Sequence, residues 1–113
     1  MKSVESYKHK AAKEVLAGWL SELFMLAVEQ PFYLHGKCSF IPDVTAFDYN
    51  GDYYAIYEVV HKHGLDAKKL SRIQQWSYLN QIPINVYEIE AEWILLQVVP
   101  PETLRLLNFT TLS

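Results

Sequence analysis

The sequence predicts an α/β domain in which a mixed sheet is flanked by helices. Residues 4 to 28 and 66 to 80 carry apolar positions at helical spacing. Between them, two β-rich runs surround Asn50-Gly51. The second helix separates the later of these runs from the alternating stretch 84 to 89, and a strand–helix–strand order of this kind predicts a parallel pair with a right-handed crossover. The expected order is αβββαβ, then one more strand and a tail.

In residues 4 to 28, Ala12, Leu16, Trp19, Leu20, Leu23 and Ala27 share a helical face, with Lys10, Lys13, Glu14 and Glu22 elsewhere. Residues 20 to 28 are almost wholly apolar, which predicts a deeply buried helix end. The helix stops before Gln30-Pro31, because the residue before proline avoids the helical region. Phe32 to Leu34 reads as a short strand and His35-Gly36-Lys37 as a turn.

Runs 40 to 48 and 53 to 61 then flank Asn50-Gly51, a strong hairpin signal, since a type I′ turn needs positive φ at both central residues. In the second run, Ala55, Tyr57 and Val59 face one side, while Tyr54, Ile56, Glu58 and Val60 face the other. Both sets are mostly apolar, so this strand is expected to be central and covered on both faces. Asp66 is the N-cap of the second helix, with Leu65 and Leu70 as its hydrophobic staple. Leu70, Ile73, Trp76 and Ser77 form its inward stripe, Lys68, Arg72 and Gln75 lie roughly opposite, and Asn80 to Pro83 ends it. Residues 84 to 89 alternate as a strand, 93 to 99 read as an apolar strand, and 103 to 109 as a short helix. No repeat or linker interrupts the chain, so 1–113 is read as one domain, with a core over about 5–97 and a short extension, 98–113.

Composition narrows the class. Of 113 residues, 50% are hydrophobic and 20% charged, the balance of a folded chain and not a disordered one. No run of about 18 apolar residues exists to span a membrane. The first residues lack the apolar core of a signal peptide, which predicts a cytoplasmic protein. A single cysteine, Cys38, excludes an internal disulfide and a cysteine zinc site, and it reads as a packed core residue. The net charge of −3 argues mildly against nonspecific polyanion binding, yet basic residues gather at Lys2, Lys8, Lys10 and Lys13 and again at Lys62, Lys68, Lys69 and Arg72.

The chemistry is concentrated at two carboxylates. Counting outward from Asn50-Gly51 sets Asp43 opposite Glu58 on one face, with Cβ atoms roughly 4.5–5.5 Å apart. Like charges there destabilise a sheet, and a divalent cation between them reverses that sign.

The order of segments, with Pro42-Asp43 at one strand and Glu58-Val59-Val60 at the next, resembles the PD-(D/E)xK nuclease superfamily. Residues 5 to 13 with Leu16, Trp19 and Leu20 look like the first helix of small members. Residues 56 to 61, Gly64-Leu65-Asp66 and Lys69-Leu70 are similar to the CoiA-like competence nuclease branch, and residues 82 to 89 resemble its closing strand. The resemblance implies a restriction-endonuclease-like fold and metal-dependent cleavage of DNA. Asp43, Glu58 and the main-chain carbonyl of Val59 would hold Mg²⁺ or Mn²⁺.

The chain departs from the family pattern at Val60, where the motif lysine belongs. Lys13 or His9 on the first helix, Lys69 on the second, or His63 from the loop are the replacements open to it, whereas His61 faces away from Glu58. Glu14 and Glu29 are candidates for a further acidic ligand. Gln74 and Tyr78 match the Gln-x-x-x-Tyr of exonuclease-like members. Lys10, Lys13, Lys62, Lys68 and Arg72 would bind phosphates, and specificity would come from a protein partner, a homodimer or DNA shape. The alternative is a catalytically inactive module on the same fold that binds DNA or a protein.

Overall fold

The computed structural model describes residues 7–22, 24–48, 50, 52–60, 66–97 and 108–112. The elements are α1 (Tyr7–Leu20), β1 (Met25–Val28), β2 (Phe32–Leu34), β3 (Lys37–Phe40), β4 (Val44–Phe47), β5 (Tyr53–Val60), α2 (Ala67–Asn80), β6 (Ile84–Glu90), α3 (Ala91–Leu96) and β7 (Asn108–Leu112). The fold is a mixed sheet flanked by helices. Its main sheet runs β1-β4-β5-β6-β7, and β2–β3 form a separate hairpin. The β5–β6 pair is parallel, as the intervening helix requires, and the other described pairs are antiparallel.

Strand β5 is central and covered on both faces, in agreement with its apolar alternation. On one face Ala55, Tyr57 and Val59 pack with Val44, Ala46 and Ile89 under Ala12, Leu16 and Leu20 of α1 and Ala91 and Ile94 of α3. On the other, Ile56 packs with Ile84 and Val86 under Ile73 and Trp76 of α2 and Phe32 and Phe40 of the hairpin. There Phe32 stacks on Phe40, with ring centroids 4.7 Å apart, and meets Trp76 edge-on at 4.8 Å. The Trp76 indole N–H donates to the Tyr33 carbonyl at 3.1 Å, which ties the hairpin to α2. Asp66 caps α2 by accepting the Lys68 N–H at 2.9 Å, and Gln81 closes it in the left-handed region with φ of 55°. Ile73, Trp76 and Ser77 are the buried face of this helix, with Leu70 half-buried.

Four expectations change. The predicted helix over 4 to 28 ends at Leu20, and Met25–Val28 is a strand paired with β4. An apolar run this short suits a strand as well as a buried helix, and a strand partner decides the matter. Nor is this end deeply buried: β1 is a sheet edge, with Met25 58% and Val28 51% exposed. The apolar stretch read as a strand from 93 onward contains helix α3 instead, which buries Ala91 and Ile94, one turn apart, and sets Trp93 edge-on to Trp19. In the tail, Asn108–Leu112 is a strand beside β6, where 103 to 109 had read as a helix, and 103 to 107 lie outside the described residues. This strand brings part of the predicted extension into the main sheet.

The fourth change concerns turns. The pairs Val44–Tyr57, Thr45–Ile56 and Ala46–Ala55 keep the expected register, but it slips before Phe47, which pairs with Tyr53. Asp48 closes the longer loop. Its Oδ1 accepts the N–H groups of Asn50 and Asp52, each at 2.9 Å, and its own N–H donates to the Asp52 carbonyl at 2.9 Å. Gly51 lies outside the described residues, as does Leu65 of the expected staple. A two-residue turn with positive φ at both positions occurs in the β2–β3 hairpin, at His35 (53°) and Gly36 (78°), where Leu34 pairs with Lys37.

The two sides of α2 should differ sharply in mutational cost. Ile73 is fully buried and Gln74, the next residue, is exposed. In urea denaturation, Ile73→Ala is expected to lose about 2–5 kcal/mol, and Gln74→Ala to stay within about 0.5 kcal/mol.

Candidate functional site

The site forms where the β4–β5 ladder begins. Pro42 is fully buried, and after it the chain enters β4 at Val44. Asp43 sits just outside the ladder, so its backbone needs partners from elsewhere. Its N–H donates to Glu58 Oε2 at 2.7 Å, and its carbonyl accepts the Glu29 N–H at 3.1 Å. In return, Asp43 Oδ2 accepts the Val59 N–H at 2.7 Å. Each carboxylate thus caps the backbone of the opposite strand. This holds Asp43, Glu58 and Val59 together.

Basic side chains reach this pair from both faces of the sheet. Lys69, in the first turn of α2, forms an ion pair with Glu58 Oε1. From α1, His9 Nε2 lies 2.7 Å from the Val59 carbonyl and 3.5 Å from Asp43 Oδ2. One helical turn later, Lys13 Nζ donates to Glu29 Oε1 at 2.5 Å, with the lysine side chain 5% exposed and the glutamate 56%. Glu29 has φ of 52°, an uncommon conformation for a non-glycine residue, and its N–H reaches Asp43 from there.

Glu58 is buried, at 2% exposure. Burial first, and then the charge of Asp43, push its carboxyl from the usual 4.5 up to about 7, against the opposing pull of Lys69 and of the Asp43 N–H.

The remaining predicted residues lie apart from this centre. Lys68 and Arg72 share a cleft with Lys69, formed by α2 and residues 38 to 41. Lys10 and Glu14 are exposed on α1. Gln74 and Tyr78 are exposed on α2, away from its buried stripe, and Tyr78 is 76% accessible. His61, Lys62 and His63 lie outside the described residues. Cys38 is exposed and not packed in the core: it stands opposite Tyr33, in register with the Leu34–Lys37 pair, and the shift that follows lets Phe40 turn inward instead. Sequence reasoning missed Glu88, which the parallel register sets directly beside Glu58. The alternation of Ile84, Val86 and Glu88 carried that signal, but the register that makes the two glutamates neighbours is tertiary.

Among the described residues, no group of three or more His, Cys, Asp or Glu side chains is gathered as a metal centre. The network contains two carboxylates and a main-chain carbonyl, all hard oxygen ligands of the kind Mg²⁺ takes. The buried like charges at Asp43 and Glu58 also suit a cation. The chain matches no family model, and no curated protein or solved structure matches it. Among the described residues, no helix is long and apolar enough to cross a membrane.

The raised Glu58 carboxyl sets a pH dependence for the metal-free protein. Between about 4.5 and about 7, the folded state holds a proton that the unfolded state has released, so stability falls as pH rises. The contribution is whole below about 4.5 and lost once pH passes about 7. In chelator, wild type is expected to lose stability relative to Glu58→Gln over that window, by on the order of 3 kcal/mol. Denaturant melts of both proteins across the window check this, and parallel profiles would refute it.

Proposed function

We propose that this chain is a small Mg²⁺-dependent nuclease that hydrolyses DNA phosphodiester bonds on a restriction-endonuclease-like, PD-(D/E)xK fold. The observation that carries the reading is the reciprocal capping of Asp43 and Glu58, with the Val59 carbonyl beside them and the Lys69 ammonium on Glu58. Asp43, Glu58 and the Val59 carbonyl would hold the cation. When bound, Mg²⁺ supplies a more acidic water and positive charge for the developing phosphate oxyanion.

The chain's own residues do the rest. Lys69 takes the role that Val60 cannot fill, because its ammonium comes to the same carboxylate from α2. Its charge would sit beside the scissile phosphate and stabilise the transition state. Lys13 is the weaker choice, since its buried ammonium is engaged by Glu29. His9 holds the Val59 carbonyl and so positions that ligand. Lys68 and Arg72 share the cleft with Lys69 and would bind flanking phosphates.

The second reading is a catalytically inactive module of the same fold that binds DNA or a protein partner. It is favoured by one observation: His9 and Lys69 already engage the oxygens that a cation would take.

Cleavage of supercoiled plasmid in Mg²⁺ and Mn²⁺ decides between them. Wild type is expected to cut, Asp43→Ala and Glu58→Ala to be inactive, and Lys69→Met to lose about a hundredfold or more. Mn²⁺ should raise the melting temperature of wild type and of Lys69→Met by mass action, and Asp43→Asn should abolish the rise. A folded protein that neither cuts nor responds to Mn²⁺ would sink the enzyme and leave the binding module.

A further inference from the structure

The cleft beside Lys69 has features that the carboxylate centre does not use. It encloses about 440 Å³ between the first turns of α2 and the strand β3, and its walls include Lys68, Lys69, Arg72, Asp66, Cys38 and Ile41. Three of these residues are cationic. The one carboxylate, Asp66, is engaged in capping α2 through its bond to the Lys68 N–H. Lys68 and Arg72 are one helical turn apart and share a face of α2. Phosphates spaced along a strand would meet them in succession.

Next to the cleft, the β2–β3 hairpin carries an exposed aromatic residue, Tyr33. Tyr33 pairs directly with Cys38, so the two side chains stand on the same face of the hairpin, and Cys38 lines the cleft. Tyr33 is 60% exposed, and its backbone is fixed by the Trp76 indole bonded to its carbonyl. Alternation turns Phe32 into the core and leaves Tyr33 outside, and the register shift brings Phe40 opposite Phe32. Ile41, 46% exposed, adds an apolar surface on this side. A rigidly mounted exposed aromatic beside a cationic groove is the arrangement that binds unpaired bases and their phosphates together.

We infer that this cleft binds single-stranded nucleic acid, with a base on Tyr33 and phosphates on Lys68 and Arg72. A duplex offers no free base to Tyr33, because its bases are already stacked on one another. The inference rests on the nuclease reading for its biological sense, since it specifies that enzyme's substrate as an unpaired strand led to Lys69 and Glu58. The binding itself requires no metal.

The test is fluorescence anisotropy of a labelled single-stranded DNA oligonucleotide and of its duplex, with EDTA present throughout. Wild type should prefer the single strand. Tyr33→Ala should weaken single-strand binding about fivefold or more, and Tyr33→Phe should retain it. Arg72→Ala should reduce the slope of log affinity against log salt by about 0.7. Both positions are exposed enough to leave the fold intact, which melting curves verify. This pattern supports the cleft whether or not the protein cuts DNA. Equal affinity for duplex and single strand, or indifference to Tyr33→Ala, overturns it and leaves the carboxylate centre to its own test.

Discussion

Two backbone N–H groups lie beyond the start of the β4–β5 ladder, at Asp43 and at Val59, and the structure answers both with carboxylates. A buried N–H without an acceptor costs roughly 1–3 kcal/mol. Glu58 Oε2 and Asp43 Oδ2 remove that cost at 2.7 Å each. They do so by bringing two like charges together in a largely buried setting, which is unfavourable until cations arrive. Lys69 and His9 are those cationic or donating groups. The strand end, the two carboxylates and the approach of both helices are therefore linked in one electrostatic problem.

That problem explains why the polar residues of α1 and α2 lie where they do. Helix α1 covers the face of β5 that carries Tyr57 and Val59, and α2 covers the face that carries Ile56. Each contributes a basic residue at the same end of β5, from opposite sides. This is the carboxyl end of a strand that pairs in parallel with β6. In open sheets with parallel strands, the carboxyl ends are where ligands collect, because chains leaving them splay apart and open a crevice. The buried Lys13 extends the network to Glu29, whose backbone returns to Asp43.

Much of this centre was legible from local rules. Alternation predicted both faces of β5, and counting from Asn50-Gly51 put Asp43 opposite Glu58, because the register survives from Ala46 back to Val44. Helical spacing put His9 and Lys13 on one face, and the Asp66 cap fixed the start of α2 and thereby the position of Lys69. What failed needed tertiary information. Met25–Val28 is a strand because β4 offers it hydrogen bonds, and nothing in its four apolar residues says so. Ala91–Leu96 is a helix because Ala91 and Ile94 find the core one turn apart. The Asn50-Gly51 signal was overridden when the Asp48 carboxylate bound the loop N–H groups itself. Glu88 went unread because the register of a parallel pair is set by packing of the crossover helix and not by a turn.

That an ammonium comes to Glu58 from α2, and not from its own strand, has a physical consequence for the site. A lysine two residues after Glu58 would be held by the same backbone ladder, and its distance from the carboxylate would be fixed by strand geometry alone. Lys69 is held instead by the seating of α2 on the sheet. That seating depends on Ile73 and on Trp76, wedged against Phe32 and Phe40 and bonded to the Tyr33 carbonyl. The aromatic cluster thus sets the separation of Lys69 from Glu58, and the exposed Tyr33 ring is mounted on the same cluster. The charged contact at Glu58 and the exposed Tyr33 are positioned by one piece of packing, so a shift of the hairpin against α2 would displace both together.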